Sequence, residues 1–259
     1  MGRLRMAGLA LRGRPVILKP KPPLFDLRDD FFPRKRLRKV LEREGAGYRT
    51  AKPFPHVVID GFLQKAALKT VLGEFAEVDG AKWKSVDRET EVKLSNESEL
   101  TFGPFTWKLI HILNSSFFLE FLERLTGIDG LIADSHLRGG GLHEIRRGGK
   151  LGVHADFNYH RRLRIYRRLN LLLYLNRKWK EEWGGHLEFW TRDMSACSKR
   201  ILPLFNRAVI FDTSSFSLHG HPSPLECPDS ESRKSIALYY YTSECPEDKD
   251  KAPHTTVFR

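Results

Sequence analysis

The chain has 259 residues, 41% of them hydrophobic and 11% aromatic, which fits one large globular domain plus an extension. No apolar run approaches the roughly 20 residues of a membrane span, because the longest candidates, such as Leu171 to Leu175, are strand-sized. The net charge of +12 is unevenly spread: residues 1–52 hold 15 Lys or Arg against 5 Asp or Glu, leaving 29 against 27 for the rest, so the basicity belongs mostly to the N-terminal stretch.

The N-terminal stretch Met6 to Leu11 is too short for a signal-peptide core and contains no serine of the kind transit peptides carry. Prolines 15, 20, 22, 23 and 33, followed by Pro53 and Pro55, disfavour a long continuous element and place a boundary near residue 52. The expected division is a basic extension over residues 1–52 and a catalytic domain over 53–259. The extension reads as a solvated tail or surface helix, such as Arg34 to Glu44, or as an electrostatic tether to nucleic acid or an acidic protein.

Beyond it, His56 to Asp60 reads as a strand and Leu63 to Phe75 as a helix. Trp107, Ile110, Leu113, Phe117, Phe121 and Leu125 recur at three- and four-residue steps, which predicts one helix over 105–125, stopped by Gly127. The texture then changes to short β-branched and aromatic runs at Leu142–Arg146, Leu151–Asp156, Leu169–Leu175, His186–Trp190, Ala208–Phe211 and Ser235–Tyr241, punctuated by glycine and proline. Helices first and strands after make an α+β order, with a sandwich or barrel in the second half. Cys197, Cys227 and Cys245 are an odd number without CxxC spacing, which argues against a disulfide scaffold and a structural zinc site and sets a reducing, cytoplasmic location as the expectation.

The chemistry concentrates in two places. His154 and Asp156 are two apart on a predicted strand, so both side chains leave the same face and can hold one ion. A third ligand is offered by the segment Phe211 to His221, where His219 and His221 share a strand face. Two imidazoles and a carboxylate on one side of a metal leave positions open for co-substrate and dioxygen and suit iron(II), although zinc accepts the same donors. Arg233 opens the strand that follows, where its guanidinium can clamp a carboxylate beside the metal. His111, His136, His143 and His186 read as structural, and His160 as a candidate for the site mouth.

Taken in order, the HxD of His154 and Asp156, the Tyr174-Leu175-Asn176 run, Gly184-Gly185-x-Leu187, His219-Gly220 and Arg233-x-Ser235 resemble the prolyl 4-hydroxylase-like branch of the Fe(II)/2-oxoglutarate oxygenases over roughly residues 53–243. The resemblance implies a double-stranded β-helix (jelly-roll) core with N-terminal helices packed on its major sheet. It implies iron(II) held by His154, Asp156 and His219, the glycine after His219 favouring it over His221. It further implies 2-oxoglutarate gripped by Arg233 and Tyr174, with ascorbate a further candidate cofactor. The interval from His219 to Arg233 is longer than in many prolyl hydroxylases and reads as a surface loop, which leaves Lys234 as a stand-in for Arg233. The implied activity is hydroxylation of a prolyl residue in a protein or peptide; oxidation of a small molecule or nucleic acid, or a non-catalytic jelly-roll binding module, are the alternatives. Arg161, Arg162, Arg164, Arg167 and Arg168 after the HxD strand, with Arg146, Arg147 and Lys150 before it, favour an anionic substrate only if they face the mouth.

Overall fold

The computed structural model describes residues 31–33, 35–246 and 252–259. Residues 1–30, which carry much of the basic extension, lie outside them. No helix among the described residues is long and apolar enough to cross a membrane.

In chain order the elements are α1 (Arg36–Tyr48), β1 (His56–Asp60), α2 (Lys65–Ala76), β2 (Lys84–Arg88), β3 (Glu91–Asn96), α3 (Pro104–Leu113) and α4 (Ser116–Thr126), then strands almost throughout. These are β4 (Ile132–Ala133), β5 (Gly141–Ile145), β6 (Lys150–Ala155), β7 (Tyr159–His160), β8 (Ile165–Tyr174), β9 (Leu187–Trp190), β10 (Cys197–Ile201), β11 (Arg207–Asp212), β12 (His219–His221), β13 (Arg233–Thr242) and β14 (Val257–Phe258). The antiparallel sheet path runs β1-β11-β8-β13-β5-β3-β6-β12-β9-β10, with β14 added to β6, β2 to β3, β4 to β13 and β7 to β8. The two ends of this path face one another: Phe189 on β9 and Phe211 on β11 have ring centroids 5.3 Å apart. The sheet is therefore curled round an interior, and the expected α+β class stands.

Alternation along three central strands decides what that interior contains. On β8, Leu169, Leu171 and Leu173 join Ile236, Leu238 and Tyr240 of β13 and Ala208 and Ile210 of β11 in the core shared with the helices. The intervening residues, Asn170, Leu172 and Tyr174 on β8 and Arg233, Ser235, Ala237, Tyr239 and Tyr241 on β13, turn the other way, because successive side chains leave opposite faces of a strand. The helical side of the sheet is thus dry and apolar, whereas polar groups are admitted only inside the curl.

The predicted helix over 105–125 is two helices. Ser115 has an extended backbone (φ −80°, ψ 159°), and its hydroxyl bonds the Ile112 carbonyl at 2.7 Å, so the short polar run Asn114-Ser115-Ser116 ends one helix and starts the next. The expected buried face otherwise holds at Ile110, Leu113, Phe121 and Leu125. Trp107, expected on the buried face, is exposed and stacks on His111, while Leu109, Ile110, Ile112 and Leu113 point inward. Gly127 does terminate α4, with the positive φ of 69° that favours glycine. In the N-terminal stretch the anticipated surface helix is present as α1, anchored by Leu37, Val40 and Tyr48, and Phe31 and Phe32 are buried in the same core as α2 to α4. The stretch between His219 and Arg233, read as a surface loop, is partly docked: Leu225 and Cys227 are buried in a cluster with Ile145 and Trp179.

One close approach ties this fold to its chemistry. β12 lies against β6 with His219 opposite His154, and a Cβ at Gly220 would come within 2.7 Å of the Gly152 carbonyl oxygen and 2.8 Å of that of Leu151. Gly220→Ala is expected to separate the two strands and weaken metal binding at least about tenfold, read by metal titration, with far-UV circular dichroism showing the sheet retained.

Candidate active site

β6, β12 and the turn after β6 bring three side chains together. His154 Nε2 lies 3.6 Å from Asp156 Oδ1, and His219 Nε2 lies 3.5 Å from Asp156 Oδ2. The ligand-type atoms of His154, Asp156 and His219 all lie within 4.8 Å of one another, which among the described residues marks one candidate metal centre. His221 is not part of it.

The donor set fits a metal in a way that distance alone does not show. His154 Nδ1 bonds the Gly152 carbonyl and His219 Nδ1 the Ser217 carbonyl, each at 2.9 Å. A carbonyl only accepts, so both Nδ1 atoms carry the proton and both Nε2 lone pairs are left facing Asp156. Burial and the neighbouring His154 push the His219 imidazole down to about 4, so the ring is neutral and ready to ligate. Burial opposes ionisation of Asp156, yet the Arg167 guanidinium beside it holds its carboxyl well below the usual range. Arg167 Nη2 is 3.1 Å from Asp156 Oδ2, and Asn170 Nδ2 donates to the same oxygen at 2.7 Å. Arg167 also donates to Asn170 Oδ1, fixing the amide so that its NH2 group faces the carboxylate.

The triad borders a cavity of about 440 Å³, within the range of small-molecule sites. Arg233 lines it and is 5% exposed, yet has no acidic partner among the described residues. Its Nε donates to the Gly185 carbonyl at 2.8 Å and its Nη2 to the Tyr174 hydroxyl at 3.2 Å. Gly185 explains the double glycine of the sequence: a Cβ there would meet Leu225 Cδ2 at 2.6 Å and Arg233 Cδ at 3.1 Å, closing the slot in which the guanidinium lies. Lys234 turns to the other face, where it bonds Ser232, so the side chain available to the cavity is that of Arg233.

A buried cation without a counter-charge is costly, and burial does lower its pKa. His221, also in the cavity wall, has both ring nitrogens buried without a hydrogen-bond partner. Orphaned polar atoms beside an uncompensated guanidinium are what an anionic ligand with several acceptor oxygens would satisfy.

Residues 140–241 match the 2OG-Fe(II) oxygenase superfamily. Over that stretch the sequence is similar to a 2OG-Fe(II) oxygenase domain, and the His-Asp-His group lies within it. A prolyl-4-hydroxylase of Pseudomonas putida superposes over 80% of this chain and 98% of its own with a TM-score of 0.58 at 13% identity. A prolyl hydroxylase of Trichoplax adhaerens, in complex with a hypoxia inducible factor oxygen degradation domain peptide fragment, does so over 80% and 90% with a TM-score of 0.53 at 18% identity. HygX of Streptomyces hygroscopicus, with nickel, 2-oxoglutarate and hygromycin B bound, covers 87% and 97% with a TM-score of 0.50 at 11% identity. At these identities the shared property is the fold, and the expected jelly-roll core is that of the oxygenase domain. No curated protein matches the chain.

Several groups round the oxygenase site carry no sequence signal. Arg167 was one of five arginines in the run after the HxD strand, with nothing to set it apart, and Asn170 lies in a strand read only for its leucines. β14 pairs with β6 so that Phe258 stands opposite His154, their rings 5.4 Å apart, and His254, Thr255 and Thr256 complete that wall. His143, read as structural, lines the cavity and is pushed down to about 3, first by burial and then by Lys93. His160, expected at the mouth, is buried against Tyr241 and Asp134. Of the arginine run, Arg161 and Arg167 line the cavity; Arg146 pairs with Glu144, and Arg147 bonds the Cys227 carbonyl.

Arg167→Met would leave the Asp156 carboxylate buried without its cation. The expected cost in the metal-free chain is about 3 kcal/mol, measured by urea unfolding, and Asn170→Leu is expected to cost less because the guanidinium remains.

Proposed function

We propose that His154, Asp156 and His219 hold iron(II), that Arg233 with Tyr174 binds the distal carboxylate of 2-oxoglutarate, and that the chain hydroxylates a prolyl residue in a protein or peptide. The observation that carries this reading is Arg233: a guanidinium buried without an acid, in the same cavity as the His-Asp-His group. Iron(II) with 2-oxoglutarate and dioxygen supplies the oxidative chemistry, in which one oxygen atom enters a substrate C–H bond and the other leaves in succinate, with loss of carbon dioxide.

The chain's own residues do the rest. His154, Asp156 and His219 would hold the ion at the cavity wall. Arg233 and Tyr174 orient the co-substrate, while His221 faces the same region with ring nitrogens that lack protein partners. The apolar wall of Leu187, Leu172 and Phe258 limits water at the reacting carbon. No side chain is required as a general base.

The prolyl assignment draws on the Pseudomonas and Trichoplax enzymes. A small-molecule substrate is the second reading, favoured by HygX, which spans more of this chain than either prolyl hydroxylase. We place the protein in the cytoplasm on the strength of its three free cysteines. The catalytic unit is assigned to residues 53–259, with residues 1–52 as an extension whose helix α1 packs on it. A tether to nucleic acid or an acidic protein is tested by deleting residues 1–30 only, since a cut at 52 would also remove Phe31, Phe32 and α1 from the core.

The deciding experiment is succinate formation against a peptide library with added iron(II), with and without ascorbate, and detection of a one-oxygen mass gain. Turnover is expected to need iron, to stop with a chelator, and to vanish in His154→Ala and His219→Ala; a chain that folds, binds iron and never consumes 2-oxoglutarate with any substrate would refute the reading. Arg233→Leu is expected to raise the 2-oxoglutarate concentration for half-saturation about 100-fold or more, through loss of a bidentate charge-assisted pair. Its iron content should be unchanged.

A further inference from the structure

The rim of the same cavity carries three more guanidinium groups, each from a different part of the fold: Arg88 at the end of β2, Arg138 ahead of β5 and Arg161 between β7 and β8. All three are exposed, and none forms an ion pair with a described residue. The two acids that line the cavity are already engaged, Glu91 with Lys93 at 3.1 Å and Asp156 with Arg167 at 3.1 Å. Like charges converging on one mouth repel one another, and a low-dielectric wall strengthens the field they project into it. Elsewhere some arginines are paired: Arg124 with Glu120, Arg200 with Glu188 and Arg207 with Asp60.

Three of the aromatic rings of the cavity, Phe157, Tyr239 and Phe258, are already covered by protein groups. Arg138 and Arg167 stand over Phe157 at 5.1 and 4.6 Å from its centroid, and Arg167 covers Tyr239 at 3.4 Å. Phe258 lies against His154. A flipped base needs an open face to stack on; a carboxylate needs only the guanidinium edges.

Resting on the hydroxylase reading above, we infer that the substrate is an acidic peptide segment, with Asp or Glu side chains flanking the oxidised residue and received by Arg88, Arg138 and Arg161. Arg233, deeper and enclosed, is left to the co-substrate. The rim arginines act on capture and register, so their contribution falls with ionic strength, unlike that of the buried pair at Asp156.

The test uses the full chain loaded with nickel(II) and 2-oxoglutarate, which binds without turning over. Three fluorescent proline-containing peptides, identical except for Glu, Gln or Lys flanks, are titrated by anisotropy at low and high salt. The Glu peptide is expected to bind about tenfold more tightly than the Gln peptide and the Lys peptide more weakly than either. That preference should collapse in Arg88→Gln/Arg161→Gln and in high salt. Binding of 2-oxoglutarate by the double variant, followed separately through its visible charge-transfer band on iron(II), reports that the site remains folded. Equal binding of the Glu and Gln peptides, an undiminished preference in the double variant, or an oligonucleotide that binds more tightly than the Glu peptide would each overturn the inference. Peptides that are hydroxylated without regard to flanking charge would also sink it while leaving the prolyl reading intact. Arginine-dependent binding of acidic peptides, none of which gains oxygen, would uphold the charge preference and remove the prolyl reading instead.

Discussion

A carboxylate can serve in a dry interior only if something nearby keeps it ionised, and at Asp156 that duty falls to Arg167 and Asn170, both on β8. The arrangement is mutual: the buried guanidinium of Arg167 is itself tolerable because Asp156 and the faces of Phe157 and Tyr239 surround it. Removing either partner strands a charge. The anionic corner of the site thus belongs to the core of the sheet and is assembled as the sheet closes, before any metal is considered.

The same strand separates two environments. Leu169, Leu171 and Leu173 seal the helical side, while Asn170, one residue along, enters the site. β13 repeats the division, with Ile236 and Leu238 outward and Arg233 and Ser235 inward. Because β8 and β13 pair over ten-residue strands, the register of one fixes that of the other, and Tyr174 arrives opposite Ser235 within reach of the Arg233 guanidinium. A slip of one residue would send leucines into the cavity and the charges into the helices.

Much of this was legible from periodicity and motif. The two-residue spacing of His154 and Asp156 pointed to a shared ion, although Asp156 lies just past the end of β6, and the later strand that returns His219 beside them is the one the histidine-glycine pair marked. Between His219 and His221, which share a strand face, the glycine after His219 already favoured it, and in the structure it is His219 that pairs opposite His154. Arg167 could not be singled out among five arginines, because nothing local distinguishes a guanidinium that folds inward from one that is solvated. β2 and β3 gave no signal either: their side chains are largely exposed or half-buried, so no apolar alternation exists to be read. The split of the long helix escaped for a related reason, namely that three- and four-residue spacing persists across the polar break at Asn114 to Ser116.

Charge, finally, is graded along the cavity. At the depth of Asp156 it is paired and neutralised; at Arg233 it is buried and uncompensated; at Arg88, Arg138 and Arg161 it is exposed and uncompensated. A buried cation without a partner is costly in the free protein, and an exposed one costs little, so the two unpaired sets answer to different ligands. The inner one gains most from a carboxylate that is fully desolvated and held at two points, which requires a small, rigidly placed dianion. The outer set gains from acids that retain water and sample several positions, which is how a flexible chain with more than one carboxylate would approach. Depth therefore sorts the two anions between the two sets: co-substrate and substrate can occupy one cavity without competing for the same guanidinium.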